Sequence, residues 1–368
     1  MVRVLHVVEA LDGGIGRYIA TLAGAQCAAG WDVTVAAPAG GPWGAAVQES
    51  GARLLAWEAT AQPGWTVVRE CRALARLVRT VEPTVVHLHS SKAGLVGRLV
   101  VRRRRPTIMQ PHSWSFYAVT GPIRRATLAW ERFAARWADV VLCVSRAEAE
   151  AAAQQRIRAT CAVIPNGVDL VANPPASEAD RTTARARFGL PPDTPLVVCI
   201  ARLHRQKGQH RLLDAWPLVR REVPGARLVL VGDGPDAAGL RARAVDGVEL
   251  VGASSEVRQW FAAADVVAAP STWEGMSLSV LEAMAAARPV VATDVPGMRE
   301  LVTDSVGALV PLDDPDALAA ALTARLRDRE RADGEGRAGR RLVEQEHDLA
   351  DHLSAVLALA QSLTERTA

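Results

Sequence analysis

Two carboxylates, Glu274 and Glu282, lie eight positions apart in the stretch TWEGMSLSVLEAM, and this spacing limits the chemistry that they can share. On an α-helix, eight residues rise by ~12 Å, which is too far for two carboxylates to hold one metal ion or one proton. The carboxyl groups of a glycosidase flank a single bond at roughly 5–9.5 Å, so that pairing is excluded as well. The spacing instead suits a long ligand with hydroxyl groups at both ends, such as a nucleotide joined to a sugar.

The residues between the two carboxylates predict the start of a buried helix. They come directly before or at the beginning of an apolar run: Gly275, Met276, Ser277 and Leu278. An acid such as Glu274 is favoured before a helix by the helix dipole. Glu282 lies inside the apolar run, where an unpaired carboxylate is costly, so we expect it to have a partner.

Two cations follow a predicted strand in the segment ARLHRQKGQHRLLDAW. Arg202 comes directly after the strand, and Lys207 lies five residues later, before a predicted helix. A guanidinium fork and an ammonium point charge in a strand-to-helix loop fit a diphosphate. The alternative interpretation is a pair of solvated surface cations.

Two glycine-rich turns also follow predicted strands. The first contains Gly13, Gly14 and Gly16. Backbone N–H groups there can approach a phosphate or a sugar, although a tight turn that needs glycine torsions explains the pattern equally well. The second, from Gly232 to Ala237, matches the dinucleotide fingerprint G-x-G-x-x-G/A. The acid expected about 20 residues further on is missing, because Glu249 lies only 15 residues beyond Gly234.

No segment has the pattern of a metal site. The sequence Asp314-Pro315-Asp316 precedes an apolar helix and is typical of an N-cap with proline at the first helical position. His87 and His89 are two residues apart at a strand end, without ligand spacing on one helix. We therefore expect a reaction that needs no metal.

Short apolar runs alternate with helical patterns along the whole chain, which predicts parallel sheets covered on both faces. Each half is therefore expected to be a doubly wound α/β domain, with its ligands beyond the carboxyl ends of the strands. The predicted strands are VRVLHVV, DVTVAAP, TVVHLHS, PTIMQPH and DVVLCVS in the first half, and LVVCIAR, ARLVLVGDG, VELVGA, DVVAAPS, RPVVATD and GALVP in the second. Residues 173–195, rich in proline and polar side chains, predict a linker.

Composition favours a globular protein of two domains without a membrane span. The chain has 368 residues, 49% hydrophobic and 23% charged. No apolar run approaches the ~20 residues that cross a bilayer, and the opening MVRVLHVVEALDGG lacks the features of a signal peptide. Five scattered cysteines without a C-x-x-C favour reduced thiols in a cytoplasm.

The two halves differ in charge. Residues 1–170 hold 20 Arg or Lys against 12 Asp or Glu, whereas the remainder holds 23 against 28. The densest basic run, RLVVRRRRP, ends with Arg102–Arg105 and Pro106. It is typical of a solvated helix end, and contact with an anionic surface is the alternative.

Taken together, these segments resemble a known family. The Glu274–Glu282 pair is similar to the E-x7-E signature of the retaining glycosyltransferases of family four, and EGMSLSVLEAMAAARPVVATDVPGMRELV is similar to that family's long C-terminal motif. Further segments of the pattern follow in the family's order: DGGIGRYI, HLHSSKAGLVGRL, PHSWSFY, PNGVD, ARLHRQKG and VGDGP. The resemblance implies the α/β GT-B fold, with two doubly wound Rossmann-like domains that face each other across a cleft.

The resemblance also implies roles for the candidate residues of the C-terminal domain, residues 190–345, which would bind a nucleotide-sugar. Arg202 and Lys207 would hold the diphosphate and stabilise it as it leaves. Glu282 would bind the ribose hydroxyls and Glu274 the transferred sugar. Backbone N–H groups around the helix start would approach the sugar and phosphate, at Gly275, Met276, Ser277 and Leu278.

The N-terminal domain, residues 1–172, would bind the acceptor. Gly14 and Gly16 would lie over the diphosphate, and His112 would lie near the donor sugar, close to the reaction centre. A C-terminal helix at about 349–368 would cross back to this domain. Where glycine is usual in the family, this chain has Ala201, Ser113 and Ala287, and Val295-Pro296-Gly297 replaces a pair of glycines. None of these departures removes a charged group.

We therefore expect a retaining glycosyltransferase that moves a hexose-type sugar from a nucleoside-diphosphate sugar, UDP before GDP, to a hydroxyl acceptor. The acceptor would be a lipid-linked or polysaccharide precursor or a natural-product core, and neither a metal, another cofactor nor a nucleic acid would be needed. The expected location is cytoplasmic or peripheral at the inner membrane face. The alternatives are an NAD(P)-dependent oxidoreductase and a non-catalytic sugar-nucleotide-binding protein.

Overall fold

The computed structural model describes residues 1–60 and 64–366. The chain forms two compact units, one of Met1–Pro165 with Asp351–Ala368 and one of Asn166–Ala350. The first stretch therefore ends seven residues before the predicted end of the N-terminal domain. The backbone of Val168 explains the difference, because its N–H donates to the carbonyl of His347 (2.8 Å) and its carbonyl accepts from Leu349 (3.2 Å), both near the end of the second unit.

The first unit contains a parallel sheet with the strand order β3-β2-β1-β4-β5-β6-β7. Its strands are β1 (Arg3–Val7), β2 (Asp32–Ala37), β3 (Arg53–Ala56), β4 (Val85–His89), β5 (Thr107–Gln110), β6 (Val140–Cys143) and β7 (Cys161–Val163). Five of these were predicted, and β3 and β7 were missed. The missed strands are the two edges of the sheet, where the end residues of each strand stay exposed and no continuous apolar run is needed.

Helices cover both faces of this sheet, as the buried strands require. They are α1 (Gly13–Ala28), α2 (Gly44–Glu49), α3 (Val67–Val81), α4 (Ser90–Val101), α5 (Gly121–Ala134) and α6 (Arg146–Gln154), with short 3-10 helices at Ser115–Tyr117 and Ala135–Trp137. Leu5 and Val7 pack in one hydrophobic core and Val4 packs in the other. The sheet therefore divides the interior of the unit into two apolar layers.

The second unit contains a parallel sheet with the strand order β10-β9-β8-β11-β12-β13. Its strands are β8 (Leu196–Ile200), β9 (Arg227–Val231), β10 (Val248–Gly252), β11 (Val266–Ala269), β12 (Val290–Thr293) and β13 (Gly307–Val310), all at predicted positions. Its helices are α7 (Glu178–Arg187), α8 (Gln209–Glu222), α9 (Ala237–Arg243), α10 (Val257–Ala263), α11 (Leu278–Ala285), α12 (Pro296–Arg299), α13 (Pro315–Arg327) and α14 (Arg329–Glu346). Both units are doubly wound α/β folds of the Rossmann type.

The last helix, α15 (Leu349–Glu365), packs its apolar side into the first unit. Val356, Ala360 and Leu363 belong to the same hydrophobic core as Val4. Residues 367 and 368 of the predicted helix lie outside the described residues. Among the helices of the described chain, none is long and apolar enough to span a bilayer.

The predicted linker at residues 173–195 is wrong, because α7 occupies its centre. The helix is polar in sequence but packs against α10 of the second unit. The guanidinium groups of Arg181 and Arg185 donate to the carboxylate of Asp265 at 2.6 and 2.8 Å. Arg185 is only 1% exposed, and a buried charge of this kind is tolerated because it is paired.

Ala287, which replaces a glycine that is usual in the family, has a strained backbone, since its φ is +56° two residues after the end of α11. An L-residue with a Cβ pays ~1–2 kcal/mol in this left-handed conformation, so Ala287→Gly should raise the free energy of unfolding by about 1 kcal/mol. Chemical denaturation measures the change. The control is Ala286→Gly, which deletes the same methyl group at a φ of −74°. Equal effects of the two variants would contradict the assignment of strain to residue 287.

Candidate functional site

The carboxyl edge of the second sheet brings two predicted segments together. Strand order reverses between β8 and β11, which lie side by side in the sheet. Ligands of doubly wound sheets bind outside the strand ends at such a reversal. Arg202 lies two residues after β8 and is exposed, and Glu274 lies five residues after β11. The predicted donor residues therefore occupy the position where this fold binds ligands.

Lys207 and Glu274 are in direct contact. The ammonium of Lys207 donates to Oε1 of Glu274 at 2.5 Å, and the hydroxyl of Ser271 donates to the same oxygen at 2.7 Å. Glu274 is 7% exposed. This carboxylate is fixed in one position by two donors, and the ammonium group remains next to the ligand edge of the sheet.

The loops after β8 and β11 are also bonded to each other. The side-chain amide of Gln206 donates to the carbonyl of Trp273 (3.1 Å), and the N–H of Thr272 donates to the carbonyl of Gln206 (2.6 Å). Gly208 has a φ of +65°, and a Cβ there would overlap the carbonyl oxygen of Pro270. The absence of a side chain at residue 208 thus allows the close approach that aligns Lys207 with Glu274.

Helix α11 begins at Leu278, between the two carboxylates, as predicted. Ser277 precedes the helix, and within the described chain no side-chain cap bonds its first N–H groups. Such N–H groups, with the positive end of the helix dipole, form a site for an anion. Asn166 fixes the approach to the helix because its amide donates to the carbonyl of Met276 at 3.1 Å. Glu282 follows in the second turn and is 8% exposed.

The glycines of the dinucleotide fingerprint have a packing explanation. A Cβ at Gly232 would overlap the carbonyl of Ala201, and a Cβ at Gly234 would overlap the carbonyl of Leu203. These glycines allow the loop after β8 to pass close to the end of β9. The fingerprint is therefore accounted for without a dinucleotide.

In the first unit, Gly14 and Gly16 lie in the first turn of α1, directly after the loop that follows β1. A Cβ at Gly16 would overlap the ring of Trp43 and the backbone of Leu11. Gly16 is therefore required by packing, and Gly14 remains in a helix start that has no side-chain cap among the described residues.

His112 lies just after β5 in a strained turn. Its φ is +55°, and that of Ser113 is +122°. Glu148 holds this turn, because its carboxylate accepts hydrogen bonds from the N–H groups of Ser113 (2.7 Å) and Val144 (2.8 Å). Burial lowers the pKa of His112 to about 3, so the ring is neutral at physiological pH. His112 can thus form neutral hydrogen bonds with a sugar without adding a cation.

Three further histidines gather under this turn. The ring nitrogens of His6, His87 and His89 lie within 4.8 Å of one another, close enough for a metal to be considered. His87 and His89, however, are stacked, with centroids 4.1 Å apart and planes at 25°. Lone pairs in stacked ring planes do not converge on one ion. His6 and His89 instead bond to each other at 2.9 Å, and burial lowers the pKa of all three rings, to about 4 at His6.

Sequence reasoning missed three polar residues at these sites. Ser271 and Glu148 orient candidate residues from positions that carry no special spacing. Glu9 had the same signal as Arg202, because it comes directly after a strand at the carboxyl edge of a sheet. Its carboxylate accepts a hydrogen bond from the N–H of Ala93 in α4 (3.3 Å).

Family models match both units. The model described as glycosyl transferases group 1 matches residues 194–328, and the glycosyl transferase 4-like domain matches residues 13–167. The first match contains Arg202, Lys207, Glu274 and Glu282. The second contains Gly14, Gly16 and His112.

Several relatives are named as glycosyltransferases. The lipopolysaccharide core biosynthesis mannosyltransferase LpsB of Rhizobium meliloti is 30% identical over 66% of this chain and 71% of that protein. The UDP-Gal:alpha-D-GlcNAc-diphosphoundecaprenol alpha-1,3-galactosyltransferase of Escherichia coli is 27% identical over 68% of each chain. A GDP-mannose-dependent monoacylated alpha-(1-6)-phosphatidylinositol monomannoside mannosyltransferase of Corynebacterium glutamicum is 35% identical over about half of each chain, 50% and 51%.

A solved structure has the same fold. HepE of Anabaena, in complex with UDP and glucose, superposes with a TM-score of 0.84 at 22% identity, covering 98% of this chain and 100% of that one. The two sheets, the family models that match each unit and the LpsB relative agree. The chain therefore belongs to the group 1 glycosyltransferases, with a glycosyl transferase 4-like domain in its first unit and the GT-B type of fold.

Proposed function

We propose that this glycosyltransferase is a retaining, metal-independent hexosyltransferase that uses a nucleoside-diphosphate sugar and a hydroxyl acceptor. The observation that carries the proposal is the convergence of Lys207, Glu274 and the open start of α11 at the strand reversal of the second unit. Cations and helix N–H groups fixed in advance stabilise the negative charge that develops on a diphosphate as it leaves.

In this proposal the parts of the second unit bind different parts of the donor. Arg202 and Lys207 hold the diphosphate, together with the N–H groups at the start of α11. Glu274, fixed by Ser271, accepts hydrogen bonds from the transferred sugar. Glu282, in the second turn of α11, binds the ribose hydroxyls.

For the donor base, the relatives support two candidates. The E. coli relative is named for a UDP-sugar and matches 68% of this chain, whereas the C. glutamicum relative is named for GDP-mannose and matches 50%. We place UDP-sugars first and GDP-sugars second because the first match covers more of the chain. Thermal shift with UDP-, GDP- and ADP-sugars separates them, since a ligand at 100 times its dissociation constant adds ~2.7 kcal/mol to the stability of the folded state.

Whether transfer retains the anomeric configuration of the donor sugar is decided by analysing the product. The selected donor is incubated with a panel of hydroxyl acceptors, namely myo-inositol, streptamine and octyl β-D-glucoside, and the coupling constant of the new anomeric proton is read by NMR. An α-linked donor that yields an α-linked product supports retention, and a β-linked product refutes it. Donor binding without transfer to any acceptor, including lipid extracts, would favour the non-catalytic alternative.

Transfer is expected to persist in excess EDTA. In the proposal, Arg202 and Lys207 neutralise the charge of the leaving group, so a divalent ion is not needed for that role. Initial rates with and without EDTA, and after adding back Mg²⁺ or Mn²⁺, measure this. Complete loss of activity that metal restores would reverse the proposal. A modest stimulation would not, because metal also binds the nucleotide product.

A surface of the first unit supports a membrane-associated acceptor. Arg102–Arg105 are all exposed at the end of α4. Arg102 lies over the ring of Trp137 (5.4 Å), which packs edge-on against Phe133 of α5 (4.9 Å). Phe133 is 45% exposed, and the guanidinium of Arg136 lies 4.1 Å from its ring centre. Interleaved basic and apolar side chains are typical of surfaces that bind an anionic membrane interface. A lipid-linked acceptor would be met at this surface, and a soluble acceptor is equally compatible with the donor site of the second unit.

Wild-type protein should pellet with vesicles that contain anionic lipid at low salt and be released at high salt. Each exposed arginine contributes ~1 kcal/mol near such a surface, and screening acts beyond ~8 Å at physiological salt. Replacing Arg102–Arg105 with serine should abolish pelleting, and neutral vesicles are the control. Wild type that stays in the supernatant, or a quadruple variant that pellets equally, would favour a soluble acceptor.

A further inference from the structure

The first sheet has its own strand reversal, and a carboxylate lies beside it. Strand order reverses between β1 and β4, which are neighbours in the sheet. Glu9 follows β1 by two residues, and its Oε2 accepts from the N–H of Ala93 in α4, the helix that follows β4 (3.3 Å). The carboxylate thus joins the two elements that flank the position where a doubly wound sheet binds its ligand. Glu9 remains partly exposed there.

A second polar group lies at the same turn. Ser90, the first residue of α4, has a φ of +65°, and its hydroxyl oxygen is buried with no hydrogen-bond partner among the described residues. A buried polar atom without a partner costs free energy unless something else satisfies it. The β1–β4 reversal therefore combines a carboxylate acceptor with an unsatisfied hydroxyl.

The charges around Glu9 select the ligand class. Lys92 of α4 is the charged side chain that acts on Glu9, and its ammonium lies 2.9 Å from the carboxylate of Glu70 on α3. A cationic ligand gains little there, because the Lys92–Glu70 pair is neutral overall and the positive start of α4 lies beside Glu9. An anionic ligand would be repelled by Glu9 itself. A neutral hydroxyl group suits both Glu9 and Ser90, because it can donate to a carboxylate and accept from an N–H or O–H group.

Ionised Glu9 also lowers the stability of the folded protein, because its carboxylate is largely buried. Burial raises its pKa to about 7, although the N–H groups of Lys92 and Ala93 and the charge of Lys92 oppose this. Above that pH the folded protein holds a poorly solvated carboxylate. Groups of this kind are concentrated at functional sites, where binding outweighs the cost.

We propose that Glu9 is the acceptor-binding carboxylate of the first unit, and that it accepts a hydrogen bond from a hydroxyl group of a polyol or sugar acceptor. This inference rests on the proposed function, in which the donor binds the second unit. It adds a named residue and a neutral, hydroxyl-rich acceptor at the point of contact.

Acceptor kinetics of Glu9→Gln test the proposal, with the donor selected by thermal shift and the acceptor of the panel that is used fastest. At pH 8 the KM for the acceptor should rise by about 10-fold, because the neutral amide oxygen of glutamine is a weaker hydrogen-bond acceptor than a carboxylate, while binding of the selected nucleotide stays unchanged. The ratio of the two KM values should fall towards one below about pH 6, where Glu9 of the wild type is itself protonated. Glu49→Gln, an exposed carboxylate on α2, is the matched control, and Glu9→Asp should restore part of the pH dependence.

The melting temperature of Glu9→Gln gives a second test. If Glu9 only supported the fold, its replacement would lower the melting temperature, whereas the proposal predicts an increase at pH 8. Unfolded glutamate has a pKa of about 4.3, so folding takes up a proton between that value and about 7. The wild type therefore loses stability as pH rises through this window, and Glu9→Gln does not. The variant should melt at a higher temperature than wild type at pH 8, and the difference should shrink towards pH 5.

An unchanged acceptor KM at pH 8, or a lower melting temperature of Glu9→Gln at that pH, overturns the inference. Binding of the selected nucleotide without transfer to any polyol of the panel overturns it as well and leaves the donor site standing. Failure of every nucleotide to bind refutes the proposed function instead, because that measurement reads the second unit.

Discussion

Arg202→Ala, Lys207→Ala and Glu274→Ala should each lower turnover by at least ~100-fold without unfolding the second unit. Removing one preorganised charge from a reaction centre has an effect of this size. Lys207 and Glu274 are in contact at 2.5 Å. Replacing either of these two residues therefore also leaves the other without the contact that positions it. The effects of the pair should therefore not add in the double variant, because residues in contact share one interaction.

The control is Arg227→Ala. Arg227 is an exposed cation that begins β9, at the amino edge of the same sheet. This substitution removes one positive charge from the same unit, but at the edge of the sheet opposite to the proposed donor site. Initial rates under saturating donor, with circular dichroism to monitor folding, complete the measurement. Rates near wild type in any two of the three test variants would refute the donor-site assignment.

Removal of either partner of the Arg98–Glu131 pair should reduce the free energy of unfolding of the first unit by about 3–5 kcal/mol. The two side chains form a double contact at 2.8 and 3.0 Å between α4 and α5, and Arg98 and Glu131 are 1% and 2% exposed. Each single alanine variant leaves one buried charge without its partner. The double replacement Arg98→Met with Glu131→Leu should be far less destabilising, because no unpaired charge remains.

Tryptophan fluorescence during urea unfolding suits this measurement. Seven of the ten tryptophans lie within residues 1–165, and the Arg98 guanidinium lies 5.6 Å from the ring centre of Trp130. The signal therefore reports mainly the first unit, whose transition need not coincide with that of the second. Arg103→Ala, an exposed arginine nearby, is the control and should change stability by less than 0.5 kcal/mol. Equal losses from Arg98→Ala and Arg103→Ala would contradict the buried pair.

The same pair marks the limit of what the sequence can predict. Arg98 opens the basic run that was interpreted as a solvated surface, and Arg102–Arg105 are indeed exposed. The burial of Arg98 depends on Glu131, 33 residues away on another helix. No local pattern carries that information, because the partner is set by how α4 and α5 pack.

Elements with strong local signals were predictable. The strands of the second sheet and the start of α11 follow from apolar runs and from the residues before Leu278. The contact between Lys207 and Glu274 was not predictable from spacing, because it requires β8 and β11 to be neighbours in the sheet. The role of Glu148 was not predictable for a similar reason, because the hydrogen bond that its carboxylate accepts from the N–H of Ser113 connects α6 with the turn after β5.

Helix α15 ties the first unit to the other end of the chain, with consequences for synthesis and fragment design. Val356, Ala360 and Leu363 complete one of the two apolar layers of that unit. As the ribosome releases the chain from its N-terminus, this layer stays open to water until the last helix emerges, long after β1–β7 are available. No single cut yields two complete halves, so an isolated first unit would need residues 351–366 spliced to residues 1–165.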